Sequence, residues 1–506
     1  MLSAAIPVAV QAGPARTFSI AVGIDADTLD PAGQTTTTVA NMVDYMFETL
    51  VSMDWESGQV VPRLATSWEI SPDGLTYTFR LRQGVRFQDG TPFDARAVKF
   101  TFERLLNPDT RVPIRYVYAA IDSVEAVDPY TVRFRLKNPS GFLLGALTYT
   151  VAAIVSPEEV QRIGSANLRL NPGRAGTGPY RFVEWVHGDH ITVERNADYW
   201  GEKPVYDRVV FRVMPDAGAR EAALLAGDVQ MAVLPPAPDV PALQRNPRVQ
   251  VVAAPTVREV FLALNNQRKP FDDVRVRQAV NYALDKQTLI NQVLFGLASV
   301  LDAPTTPFLF GYRRQQEGGW PYDPQRARQL LAEAGYPNGF EADLLTPNGR
   351  YIQDYQFAQA IAAQLSRVGI RARVRTADWP TFVSEVVKPV DQTSIHMLVL
   401  GWATPYPDAD GELYGQFHSS QWPPRGLAPA FYRNERVDAL LDEARRLADQ
   451  ERRRALYAEA QRLIWEDAPW AWLWSQKFYV AVDAGVEGVR ITPDEKWDAI
   501  YARPRR

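Results

Sequence analysis

Ile395-His396-Met397-Leu398-Val399-Leu400, followed at once by Gly401-Trp402-Ala403-Thr404-Pro405-Tyr406-Pro407-Asp408-Ala409-Asp410, is the stretch that decides the fold. Its first six residues form a nearly continuous apolar run. A run this short, set between helical segments, predicts a strand buried on both faces. Just upstream, residues 370–376 alternate as a strand, and a short helix is predicted near 379–387. Strand, helix, strand in that order implies a parallel crossover. Earlier still, Asp323 and Pro324 open a helix with Ala327, Leu330, Leu331 and Ala334 on one face, and Gly335 closes it. Phe357, Ile361, Leu365 and Val368 space another helix over 354–368, with Gly369 as its stop. Downstream, helices over about 435–448 and 450–467 precede Trp470-Ala471-Trp472-Leu473-Trp474. The second half reads as α/β.

The early third is strand-rich. Leu75, Tyr77, Phe79 and Leu81 alternate with Thr76, Thr78, Arg80 and Arg82, the period of a half-buried strand. Ser71-Pro72-Asp73-Gly74 marks the turn before it. Asp94 is placed to cap a helix carrying Val98, Phe102, Leu105 and Leu106. Val132, Phe134 and Leu136 alternate again, and residues 180–195 read as a hairpin with Gly188-Asp189 at its tip. No repeat, low-complexity tract or Gly/Ser linker interrupts the chain.

At 506 residues the length suggests about three domains. Residues 1–12, MLSAAIPVAVQA, read as the back half of a secretory signal, with Val10-Gln11-Ala12 as a small-x-small cleavage site. No later stretch reaches the roughly 18 apolar residues that a spanning helix needs. An exported, soluble, cysteine-free chain fits the bacterial periplasm or outer cell surface. A formal net charge of −4 offers no basic surface for a phosphate backbone, which argues against nucleic acid as a partner. With no cysteine, disulfides, thiolate metal sites, a Cys nucleophile and a lipidated Cys are all excluded.

Enzyme motifs are largely missing. There is no G-x-S-x-G elbow, no phosphate loop and no H-E-x-x-H. His187 and His190 flank the hairpin tip, as a metal pair or as two solvated turn histidines; His396 reads as a satisfied core histidine. His418, in the loop after the strand, is the one histidine left to watch. No catalytic, metal or cofactor site is expected. In α/β sheets, ligands collect beyond the carboxyl ends of strands. The loop after Leu400 offers an indole (Trp402), a phenol (Tyr406), a hydroxyl (Thr404) and carboxylates (Asp408, Asp410), stiffened by two prolines. An apolar pocket with a few placed polar groups is what a small-molecule site requires.

At these residues the chain resembles the solute-binding proteins of ABC importers in bacterial extracellular solute-binding family 5, the peptide/nickel-binding type. The resemblance is carried by Trp68-Glu69-Ile70-Ser71-Pro72-Asp73-Gly74-Leu75-Thr76-Tyr77-Thr78-Phe79, Gly176-Thr177-Gly178-Pro179-Tyr180, Arg195-Asn196-Ala197-Asp198-Tyr199-Trp200, Val274-Arg275-Val276-Arg277-Gln278-Ala279-Val280 and Ala334-Gly335-Tyr336-Pro337, in that order. It implies an α/β, periplasmic-binding-protein type II-like fold: two lobes with an inserted domain. Domain I would comprise 13–45, 176–258 and 475–506, domain II 46–175, and domain III 259–474. Residues 176–180 would be the return crossing into domain I, where Gly and Pro suit irregular backbone.

The implied function is capture of a peptide or peptide-like solute between lobes I and III and its delivery to a membrane permease, without catalysis or cofactor, by a monomer. The rivals are the same role for an opine, a glycoside or a metal chelate, a receptor that signals to a membrane sensor, or a secreted hydrolase. Besides Trp402, Thr404, Tyr406 and Asp408, family position marks Thr37 and Thr38 of an early loop, Asn265 at a strand end, His418, and Arg425 near Trp422 as candidate ligand contacts. Peptide-binding members usually carry an aspartate before Tyr406 to hold the peptide's amino group. Here that residue is Pro405, which puts the familiar anchor in doubt.

Overall fold

The computed structural model describes residues 16–33, 36–110, 112–348, 350–377, 379–404 and 406–505. Residues 1–12, expected to be a leader, and Pro405 lie outside them. No helix among the described residues is long and apolar enough to cross a membrane.

One mixed sheet of eleven strands runs through the molecule. Met397–Trp402 lies inside it, between Phe340–Pro347 and Val249–Leu264. It is buried on both faces as its composition predicts: Met397 and Val399 point into one apolar cluster, Leu398 and Leu400 into another. Its predecessor Ile370–Ala377 does not touch it. Both run parallel to Phe340–Pro347, which separates them. Helices cover each side, Val274–Tyr282 and Asp354–Ser366 packing with the first cluster, Glu435–Arg445 and Gln450–Asp467 with the second. The 435 helix ends earlier than its periodicity suggests. The chain must break before Asp449, whose carboxylate caps the next helix by accepting the Glu451 and Arg452 N–H groups.

Two long antiparallel strands, Val249–Leu264 and Trp470–Asp483, belong to both halves of this sheet. Their outer parts pair with the 340–402 strands at one end and, through Met231–Val233, with Thr17–Val22 at the other. Midway the register slips, between Pro255 and Glu259. The slip is pinned by side chains. The Thr256 hydroxyl donates to the Gln476 carbonyl at 2.7 Å, and the Ser475 hydroxyl donates to the Thr256 carbonyl at 2.6 Å. Val257 N–H turns away to the Pro493 carbonyl, 2.8 Å off. Next to the slip, Glu259 is wholly buried and faces the equally buried Glu412 of the helix Ala409–Phe417. Burial, then the neighbouring carboxyl, pushes Glu259 well above the usual carboxylate range.

Residues 50–154 build a separate core around the four-stranded sheet Ala65–Ile70, Thr76–Leu81, Thr131–Leu136 and Ile121–Asp128. Asp94 caps Ala95–Leu106 as its position predicts, accepting from the Arg96 and Ala97 N–H groups. The chain returns through Gly176 and Gly178 against residues 45–47: Gly178 N–H donates to the Met46 carbonyl and Tyr180 N–H to that of Tyr45, both at 2.9 Å. Glycine is required at 176 by close approach, since a Cβ there would sit 1.9 Å from the Met46 oxygen. Gly176→Ala is therefore expected to lower stability by about 1–3 kcal/mol, the usual range for overpacking. Urea denaturation checks it, and an unchanged midpoint would show that the strand moves aside freely.

Thr37 and Thr38, expected in a loop, instead open a helix. Thr36 is the N-cap of Thr37–Val43, its hydroxyl accepting the Val39 N–H. A run of Thr before Val39 and Ala40 suits a cap as well as a turn.

Candidate functional site

The loop after Trp402 is held from below. Asp408 caps Ala409–Phe417 by accepting the Asp410 N–H at 2.9 Å, and both its oxygens take the Arg453 guanidinium, each at 2.9 Å. Arg453 is fully buried and also donates to the carbonyls of Ala444 and Gly141. Tyr406 donates to Asp410 at 2.8 Å, and Arg445 stands 3.1 Å from the other Asp410 oxygen. Burial raises Asp410 to about 6, against the opposing pull of Arg445. The Tyr406 ring stacks on Phe142 of the 50–154 core, with centroids 4.8 Å apart. Both aspartates of the loop are thus spent on its shape.

Facing this loop is a wall built from distant parts of the chain. A narrow gap is lined by Thr404, Tyr406, Pro407 and Leu309 on one side, by Trp55, Tyr149 and Asp494 on the other, and by Val257 of the crossing strand. Through Trp55, Tyr149 and Asp494 it adjoins a cavity of about 260 Å³ containing Asp44, Arg63, Lys496 and Asp498. Lys496 donates to Thr150 at 3.1 Å and pairs with Asp44 at 2.7 Å. Burial alone would lower its ammonium, but Asp44 and Asp494 hold it above its ordinary value. Arg63 pairs with Glu48, which also accepts from Thr177, Tyr199 and Trp200. Beside the gap, Arg258 grips Glu495 through two bonds of 2.6 and 2.7 Å, and Glu495 also feels Arg350 and the Thr37 hydroxyl.

The residues singled out from sequence fall into two groups. Thr404 and Tyr406 line the gap, and Thr37 stands beside it through Glu495. The others lie apart from the gap and its adjoining cavity. Trp402 turns its indole N–H to the Gly411 carbonyl at 3.3 Å. Asp408 is locked to Arg453. Asn265 follows the far end of the crossing strand and donates to the Ile395 carbonyl at 3.1 Å. His418 stacks on Tyr414 at 4.3 Å and contacts the Ser420 hydroxyl. Arg425 lies exposed in a turn. Thr38, the second helical residue after the Thr36 cap, is not among the gap or cavity residues.

Sequence reasoning missed Trp55, Tyr149, Asp494 and Lys496. A tryptophan inside the turn Asp54-Trp55-Glu56-Ser57-Gly58, and the dense Asp494-Glu495-Lys496-Trp497-Asp498, were the available signals.

Residues 59–424 match the family model for bacterial extracellular solute-binding proteins, family 5, middle region. The chain belongs to that family. A curated relative, the glutathione-binding protein GsiB of Pectobacterium atrosepticum, is 34% identical over 501 residues, covering 98% of this chain and 96% of the relative. Among solved structures, the chain is similar to the periplasmic binding protein DppA of Helicobacter pylori in complex with the peptide STSA. That likeness has 29% identity and a TM-score of 0.78, covering 97% and 98% of the two chains. It is also similar to a dipeptide-binding protein of Pseudoalteromonas in complex with Met-Leu, at 25% identity, TM-score 0.81, covering 97% and 100%. The fold is the type II periplasmic-binding-protein arrangement that the sequence suggests, and the protein is a solute-binding protein of ABC importers.

Proposed function

We propose that this protein captures a peptide or peptide-like solute in the periplasm, as a monomer and without chemical change, and hands it to an ABC permease. The observation that carries this is the gap walled by Leu309, Thr404, Tyr406 and Pro407 against Trp55, Tyr149 and Asp494, with Val257 in the interrupted stretch of the crossing strands. We place the lobes at 13–45, 176–258 and 475–506 for I, 46–175 for II, and 259–474 for III. Rotation of III against I and II is absorbed where the ladder is broken, as in hinge closure. Closed-state contacts with the solute must exceed the cost of closing. Aromatic rings at Trp55, Tyr149 and Tyr406 suit a solute with apolar surface. Asp494 on its wall suits one carrying a cationic group. Glutathione, the ligand named for the GsiB relative, and Met-Leu have both features.

Calorimetry with reduced glutathione and with Met-Leu tests the proposal. Micromolar binding of either, about −8 kcal/mol, supports it. A purified protein that binds neither peptide and carries no peptide by native mass spectrometry overturns it. Trp55→Ala is expected to weaken whichever peptide binds by about 30-fold, the loss typical of a central aromatic anchor. An unchanged dissociation constant would remove Trp55 from the site.

A further inference from the structure

We propose that Asp494, in the C-terminal tail, is the anchor for a primary ammonium group of the solute. This rests on the peptide-receptor reading above and names what that site selects. The carboxylates around the gap are nearly all committed. Asp408 is held by Arg453, Asp410 by Arg445 and Tyr406, and Glu495 by Arg258. Asp44 is held by Lys496 and the Thr150 hydroxyl, and Glu48 by Arg63 and three further donors. Asp494 differs. One oxygen accepts the Thr492 hydroxyl, while the other stands 3.6 Å from the Lys496 ammonium, beyond hydrogen-bond reach.

Asp494 is also the one charged residue among the described residues lining the narrow gap, and it borders the larger cavity as well. Trp55 and Tyr149 line both spaces with it. A carboxylate edge between aromatic side chains suits an alkylammonium, which gains a charge-assisted hydrogen bond and a cation–π contact together. The surrounding charge agrees: the two cations at the cavity, Arg63 and Lys496, are outnumbered by Asp44, Asp494, Asp498 and the Arg63 partner Glu48. Lys496 is directed to Asp44 and Thr150, leaving Asp494 with capacity for a donor arriving from solvent.

Calorimetry on the wild type and on Asp494→Asn, with reduced glutathione, Met-Leu and the N-acetyl form of each, tests the assignment. Acetylation is expected to weaken binding to the wild type about 10- to 100-fold, the loss of one hydrogen bond between charged partners. In Asp494→Asn the free peptide loses a similar factor, and the further penalty for acetylation largely disappears. The assignment is overturned if acetylated and free peptides bind the wild type alike, or if Asp494→Asn keeps both the affinity and the acetylation penalty. Should that variant fail to fold, the wild-type comparison still decides. If neither peptide binds the wild type and native mass spectrometry finds no peptide on it, the peptide reading fails. The solute that native mass spectrometry finds on the purified protein then decides the anchor. A solute with a primary ammonium group, weakened by Asp494→Asn, supports it, and one without such a group overturns it.

Discussion

Replacing Arg453 with methionine is expected to lower the unfolding free energy by about 3–5 kcal/mol, the penalty for stranding one member of a buried ion pair. The guanidinium is fully enclosed and takes both oxygens of Asp408, so its removal leaves a carboxylate without its counter-charge. The damage is not confined to the core. Asp408 starts the helix after the cleft loop, and Arg453 also holds the Gly141 carbonyl of the 50–154 unit. Space there is tight, since a Cβ on Gly141 would lie 2.3 Å from the Arg453 side chain. Peptide affinity should fall together with stability in Arg453→Met. Replacing both partners, with Asp408→Asn alongside, should recover part of the stability, because no isolated charge remains. Chemical denaturation with calorimetry reads both quantities, and a single variant as stable as the wild type would refute the account.

The second large effect is a dependence on pH. Glu259 and Glu412 are both fully buried and face each other beside the register slip. Two ionised carboxylates cannot share such a place, so the folded protein retains protons there. Burial raises both groups, the partner adding to the rise at Glu259 and moderating it at Glu412. In the unfolded chain each titrates in the ordinary carboxylate range. The folded form therefore binds more protons than the unfolded form between the ordinary and the raised values. The stabilising contribution is complete at and below the ordinary range and drains away as pH climbs through the raised one. Each unit of displacement corresponds to about 1.4 kcal/mol, so the total is on the order of several kcal/mol for groups so enclosed. Glu412→Gln keeps the shape and offers Glu259 a neutral donor. Its melting temperature should vary less than that of the wild type between pH 5 and pH 9. Equal slopes would place the titration elsewhere, with Asp410 and Asp498, both raised by burial, as the next groups to test.

Much of the framework was legible before any coordinates. The run at 395–400 has apolar residues at odd and even positions alike, and its strand has clusters on both faces. Asp94 and Asp323 announced helix starts and cap them. The loop expected after Leu400 does follow a strand's carboxyl end, but it starts two residues later, because Gly401 and Trp402 still pair with Val260 and Glu259. What stayed hidden was partnership across long separations. Asp408 reads as a candidate ligand contact because nothing near it in the chain shows that Arg453 arrives 45 residues later. Periodicity reports which side of one element meets a core. It is silent on a mouth assembled from Trp55, Tyr149, Tyr406 and Asp494, which share no element. Asn265 reads as well placed because a strand ends there, yet the register slip that divides that strand lies midway along it, at 255–259.

The tail after Asp483 carries a consequence of its own. It leaves the great sheet, folds back and lays Asp494, Lys496 and Trp497 against the mouth, with Trp497 N–H seated on Asn41 at 2.8 Å. A chain cut after residue 483 would keep every strand of the great sheet yet lack one jaw. On the function proposed above, a molecule without that jaw has no second wall to close on its cargo.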